Sequence, residues 1–167
     1  AMAVENGADE VDIVLNVGRM LTGEYDEAAN EVEVIRTEMD DDVVLKVIIE
    51  SGALKTPELI RKASLLSMLA GADFVKTSTG KIDVAATPEA AVVMCHAIRD
   101  YYDKTGRKVG FKAAGGVRTV EDAALYYTIV EEILGKEWLT TELFRIGASS
   151  AANNILSAIE GSEIKYF

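Results

Sequence analysis

Apolar and polar positions alternate between two periods along this chain. Short runs of strand type occur at 10–16 (EVDIVLN), 43–50 (VVLKVIIE), 72–78 (ADFVKTS), 108–113 (KVGFKA) and 143–147 (LFRIG). Several are apolar on both faces, as in strands covered on both sides. Between them the period lengthens. Over 24–39, Ala28, Val32, Ile35 and Met39 recur every three or four residues, with Glu27, Glu31 and Glu38 elsewhere on the wheel, which predicts a helix. Thr56-Pro57-Glu58 and Thr87-Pro88-Glu89 each read as an N-cap, a first helical residue and an acid facing the positive helix end. Thr119-Val120-Glu121-Asp122 resembles a capping box and opens a helix that stops at Gly135. Strand and helix alternate throughout, so the pattern predicts one α/β domain with a parallel sheet and right-handed crossovers.

One feature breaks the apolar strands. Asp12, Lys46, Lys76, Lys112 and Arg145 each put a charge inside a strand, at successive separations of 34, 30, 36 and 33 residues. A (β/α)₈ barrel of ~250 residues averages about 31 per unit. The chain therefore holds about five parallel βα units of a TIM-barrel lineage, an incomplete barrel, with 161–167 as a C-terminal tail. A buried charge costs several kcal/mol unless it is paired or functional. For Lys46 and Arg145, ion pairing inside the barrel explains the charge as well as chemistry does. Glu50 falls on the strand face of Lys46.

Lys76 and Lys112 are different, because each is followed at once by a small or glycine-rich loop: Thr77-Ser78-Thr79-Gly80-Lys81 and Ala113-Ala114-Gly115-Gly116-Val117-Arg118. Parallel α/β folds place their sites at such strand ends. A desolvated lysine beside a second cation can attack a carbonyl as the neutral amine, and a nearby carboxylate such as Asp12 can move protons. Gly115-Gly116 and Gly147-Ala148-Ser149-Ser150 follow the last two strands, where barrel loops bind phosphate, and Lys81 and Arg118 add charge. The spacing is not that of a P-loop, since Val75 stands five residues before Gly80 and Ile82 follows Lys81. Taken singly, each of these loops is a plain turn; their combination points to an anion.

Composition narrows the partners. The 167 residues are 49% hydrophobic, which suits a packed core. Seventeen Lys and Arg against 28 Asp and Glu give a net charge of −11, which argues against nucleic acid and anionic lipid. A small anion fits only if the cations are gathered at its site. No apolar run reaches the ~18 residues of a membrane helix and no signal peptide is recognisable, so a cytoplasmic location is expected. One cysteine, Cys95, and one histidine, His96, exclude an internal disulfide and a multi-histidine metal site. Both fall in a predicted helix and are assigned to packing or surface. Asp40-Asp41-Asp42 reads as a solvated turn, Trp138 and the tyrosine pairs as helix packing, and Lys165-Tyr166-Phe167 as a frayed end.

The segments GADEVDIVLN, LKVIIESGAL, GADFVKTSTGK, GFKAAGGVRT and RIGASS, in this order and spacing from Gly7 to Ser150, resemble the deoxyribose-phosphate aldolases, a class I aldolase family. The resemblance implies a TIM barrel that uses no metal or cofactor. It implies reversible cleavage of 2-deoxy-D-ribose 5-phosphate to acetaldehyde and D-glyceraldehyde 3-phosphate. By motif, the Schiff-base lysine falls on Lys76, the second active-site lysine on Lys112 and the proton-relay aspartate on Asp12. The phosphate positions fall on Gly80, Lys81, Gly115, Gly116, Gly147, Ser149 and Ser150, with Arg118 as an extra contact. In this family three strands precede the GADEVD motif and supply part of the pocket, and Ala1-Met2 reads as a cloning remnant followed by an assigned start. The expectations are therefore a homo-oligomer or association with an N-terminal segment, and little or no turnover by this chain alone. The alternative is a non-catalytic oligomerising or phosphate-binding barrel fragment. Other rivals are a Schiff-base barrel acting on a different sugar phosphate and an open doubly wound binding domain.

Overall fold

The structure is a computed structural model that describes residues 2–148 and 151–166. Its elements run α1 (Met2–Glu5), β1 (Glu10–Val14), α2 (Val17–Thr22), α3 (Tyr25–Thr37), β2 (Val44–Ile48), α4 (Ser51–Leu54), α5 (Pro57–Leu69), β3 (Phe74–Lys76), α6 (Pro88–Thr105), β4 (Gly110–Ala114), α7 (Val120–Leu134), β5 (Phe144–Gly147) and α8 (Ala151–Glu160), with a 3₁₀ turn at Lys136–Trp138. The strands form one parallel sheet in the order β1-β2-β3-β4-β5, so each strand pairs with its sequence neighbours and, among the described residues, both outer edges are open. This is five consecutive βα units of a barrel wall.

All three predicted threonine caps are present. Thr56, Thr87 and Thr119 accept the backbone N–H of Leu59, Ala90 and Asp122, and Asp122 completes a capping box. The helix expected over 24–39 runs Tyr25–Thr37, and its buried face is Ala28 and Val32. Ile35, assigned to the same stripe, is 37% exposed. The pattern extends the first strand to residue 16, but Asn16 leaves the strand to accept the N–H of Arg19 as N-cap of α2. The apolar pattern does not predict that helix, α4 or α8.

The sheet faces divide the charged from the apolar residues. Leu45, Val47, Val75, Phe111 and Ala113 join the core beneath the helices. Asp12, Lys46, Lys76, Lys112 and Arg145 alternate with them and occupy the other, concave face. A flat sheet would separate β1 from β5 by about 19 Å, four strand spacings. Yet Arg145 on β5 donates to Glu10 on β1 at 2.9 Å, so the sheet curls strongly.

At the opposite end of the strands, Asp73 accepts from Arg107 (2.7 Å), Arg36 (3.3 Å) and the Leu45 N–H (2.9 Å), joining β2, β3 and the helices behind them. Trp138 is fully buried, donates to the Val109 carbonyl at 3.0 Å and meets Tyr102 edge-on at 5.1 Å, the packing role expected of it. Cys95 is buried within α6, where burial pushes its thiol pKa up. His96 and Asp40 to Asp42 are exposed, as expected. The tail folds back on α8, with Ile164 N–H donating to Ser157 Oγ and Tyr166 N–H to Asn153 Oδ1. No described helix is long and apolar enough to cross a membrane.

Candidate active site

Parallel pairing sets the candidate groups side by side. Lys76 ends β3 directly opposite Lys112 on β4, and Asp12 on β1 stands opposite Lys46 on β2. The curl of the sheet brings the two pairs together. One oxygen of Asp12, Oδ2, accepts from Lys76 Nζ at 2.7 Å and from Lys112 Nζ at 2.9 Å. The other, Oδ1, lies 3.3 Å from Lys46 Nζ. Lys46 is in turn 2.5 Å from Glu10 Oε2, and Arg145 holds Glu10 Oε1. None of the five interior charges points out among the helices. Lys46 and Arg145 are ion-paired, as the sequence allowed, while Lys76 and Lys112 meet at a shared carboxylate.

Four cations thus surround two carboxylates on the concave face. Burial alone would raise the Asp12 carboxyl pKa. The hydrogen bonds and charges of Lys76 and Lys112 outweigh it and hold that carboxyl far below the ordinary range. The Lys112 amine is also held below the ordinary lysine value. Burial disfavours its ammonium, and Lys76 and Lys46 repel it, against the attraction of Asp12. Both lysine side chains are thus held side by side on the one Asp12 oxygen.

Above the lysines opens a cavity of about 560 Å³. Its lining brings together Lys76, Lys112, Gly80, Lys81, Gly115, Gly116, Arg118 and Gly147, the proposed reacting lysines and six proposed phosphate positions. Ser149 and Ser150 lie outside the described residues. Gly115 has φ +82, and a side chain there would come within 2.6 Å of Ala85 Cβ and 3.1 Å of Gly80 Cα. Only glycine lets these two loops approach so closely. Arg118 is anchored through its backbone: its N–H donates to Asp122 at 2.9 Å, and its carbonyl accepts from Asn154 of α8 at 2.6 Å.

Some functional neighbours escaped the sequence reading. Glu10 is one, although its two-residue spacing from Asp12 placed it on the same face. Thr77 is another: it is fully buried and its hydroxyl bridges both the N–H and the C=O of Ala114, fixing the end of β4 against β3. Glu50 is placed on the face of Lys46 by the period of two. It lies past the end of β2 in the left-handed region (φ 52), and its partner is Thr79.

Comparison with known proteins points one way. Residues 1–153 match the model of the DeoC/LacD family aldolases. The chain is 49% identical over 154 residues to the mouse deoxyribose-phosphate aldolase, covering 92% of this chain and 48% of that protein. With the deoxyribose-phosphate aldolase of Agrobacterium fabrum it shares 44% over 161 residues, covering 96% and 61%. Among solved structures, the tetrameric deoxyribose phosphate aldolase of Aeropyrum pernix superposes with a TM-score of 0.70 at 27% identity, covering 93% of this chain and 57% of that one. The chain spans about half the length of the mouse relative.

Proposed function

The chain belongs to the DeoC/LacD aldolase family, and from that premise we propose that it carries the reacting centre of a class I aldehyde-lyase acting on 2-deoxy-D-ribose 5-phosphate. The observation that supports this reading is the single Asp12 oxygen shared by Lys76 and Lys112 at the mouth of a cation-lined cavity. In the proposed reaction Lys76 Nζ, having lost a proton, attacks the C1 aldehyde of the open-chain sugar. The carbinolamine expels water and leaves an iminium, which is the electron sink. The C3 hydroxyl then loses its proton to a base, and the C2–C3 bond breaks. C3 departs as the aldehyde of glyceraldehyde 3-phosphate, and the electron pair of that bond forms an enamine at C2. Protonation at C2 and hydrolysis release acetaldehyde and restore the Lys76 amine. Asp12 and Lys112 are the proton carriers, since both lie within direct hydrogen-bond reach of the reacting amine or of each other. Gly80, Lys81, Gly115, Gly116, Arg118 and Gly147, together with Ser149 and Ser150, hold the phosphate. No metal or cofactor is required by these steps.

With both sheet edges open, the concave face is wetter than a closed barrel. Turnover by this chain alone is therefore expected to be slow, because water weakens every electrostatic contact in the site. Self-association, or pairing with a further segment through those edges, fits the same openness, and a relative of this fold is a tetramer. A cytoplasmic setting suits the lone, buried Cys95. The test is borohydride reduction in the presence of acetaldehyde, followed by peptide mapping. A label on Lys76, abolished in Lys76→Arg, is expected. A label elsewhere overturns the reading. Phosphate binding without any adduct favours the non-catalytic fragment instead.

A further inference from the structure

Glu50 is a carboxylate that the proposed chemistry does not use. It is 6% exposed and sits just past the C-terminal end of β2. Its backbone is left-handed (φ 52, ψ 60), a conformation that a non-glycine residue adopts only where the surroundings dictate it. The neighbouring Ser51 N–H donates to the Thr77 carbonyl at 2.9 Å, which fixes this corner against β3. Among the described residues, one residue supplies every hydrogen bond to the Glu50 carboxylate. Thr79 gives it a hydroxyl at 2.6 Å and its backbone N–H at 3.2 and 3.4 Å. The Thr79 hydroxyl oxygen accepts in turn from the Lys81 N–H at 3.1 Å. A continuous line therefore runs from the buried acid through Thr79 to the backbone of Lys81.

The same loop is held further along. A side chain at Gly52, two residues after Glu50, would fall 2.0 Å from the Val84 carbonyl oxygen. Ala86 N–H donates to the Gly115 carbonyl at 3.2 Å. The segment 79–87 is thus clamped at its start by Glu50, pressed at Val84 onto α4, and joined at Ala86 to the glycine pair after β4.

We propose that Glu50 is the positioning residue of the anion site, fixing Thr79 and through it the Gly80-Lys81 turn against Gly115 and Gly116. The assignment rests on the functional reading above for the identity of the anion, but the tether itself does not. Among the described residues no cation lies within ion-pair distance of Glu50 to compete with Thr79 for it. The hydrogen bonds that it accepts all come from the start of the loop.

The test compares the full chain with Glu50→Gln, Glu50→Ala, Thr79→Val and Thr79→Ser in three measurements. These are amide hydrogen exchange at Thr79 and Lys81, titration with inorganic phosphate, and acetaldehyde–borohydride labelling of Lys76. Glu50→Ala is expected to speed exchange at both amides and weaken phosphate binding about tenfold, the worth of one lost hydrogen bond to a charged group. Labelling of Lys76, which needs no phosphate, should stay unchanged. Glu50→Gln, which retains one acceptor oxygen for the Thr79 hydroxyl, should fall between. Thr79→Val should reproduce the loss of phosphate affinity and Thr79→Ser restore it. Unchanged exchange in Glu50→Ala overturns the tether. Freed amides with unchanged phosphate affinity overturn the link to the anion site. Labelling that falls in step with phosphate affinity in Glu50→Gln marks a general structural role and overturns positioning. Absence of any Lys76 label in the unsubstituted chain overturns the aldolase reading, while exchange and phosphate titration still decide the part played by Glu50.

Discussion

Asp12 carries more of the site than any other residue, since Lys46, Lys76 and Lys112 all converge on it. Asp12→Asn keeps the shape and removes the charge, leaving Glu10 alone to balance four cations. Breaking a buried pair costs 3–5 kcal/mol, and with 29% of the Asp12 side chain exposed the expected loss is about 2 kcal/mol, read from urea unfolding. The pH dependence has a definite sign. In the folded chain Asp12 holds its proton far less tightly than in the unfolded one, so in acid the unfolded state binds more protons. The stabilisation is complete above about pH 4 and drains away below it. Glu10, held low by the Lys46 hydrogen bond despite burial and helped by Arg145, acts in the same window. Unfolding measured from pH 6 downward should therefore fall steeply for the natural chain and less steeply, though not flatly, for Asp12→Asn. Equal slopes would mean that the three lysines do not stabilise the carboxylate. The sequence displayed this residue as a charge inside an apolar strand, but not its partners. Those come from strands 34 to 100 residues away and are set by sheet curvature, which no local pattern encodes.

At the scale of elements, the local rules were legible because their causes are local. A threonine before proline or before Val-Glu-Asp can satisfy the orphan N–H groups of a helix start in few other ways, and each of the three does so. The short helices were not legible. α2 depends on Asn16, which a strand pattern absorbs, and α4 depends on the left-handed Glu50, whose conformation is enforced by β3 and the loop beyond it. The capping box of α7 also reaches the site, because Asp122 binds the N–H groups of both Arg118 and Thr119. Thr119→Ala is expected to cost about 1 kcal/mol of stability by loss of the cap. It should also lower phosphate affinity a few fold, by loosening the turn that carries Arg118. Thermal unfolding and phosphate titration measure the two effects. A full stability loss with unchanged affinity would detach Arg118 from the anion.

Over the whole molecule, charge and topology oppose one another. The net charge is −11, yet Lys46, Lys76, Lys112 and Arg145 gather on the concave face, with Lys81 and Arg118 at the cavity above it. An acidic protein thereby keeps a local field suited to an anion, and the sequence period of the interior charges anticipated that placement. It did not reveal that Glu10 and Arg145 join the two edge strands across the trough. That pair narrows the trough, but among the described residues the outer N–H and C=O groups of β1 and β5 have no neighbouring strand. Open parallel edges favour association, whereas a like charge on every copy resists it. The balance is set by ionic strength, since the screening length falls from about 30 Å at 0.01 M salt to about 8 Å at 0.15 M. Sedimentation velocity should therefore show a monomer in low salt and growing association with added salt and protein concentration. Phosphate affinity should weaken over the same salt range, because the attraction it draws on is screened as well. A monomer at all salt concentrations would mean that curl and the Glu10–Arg145 pair are enough to blunt the edges of this chain.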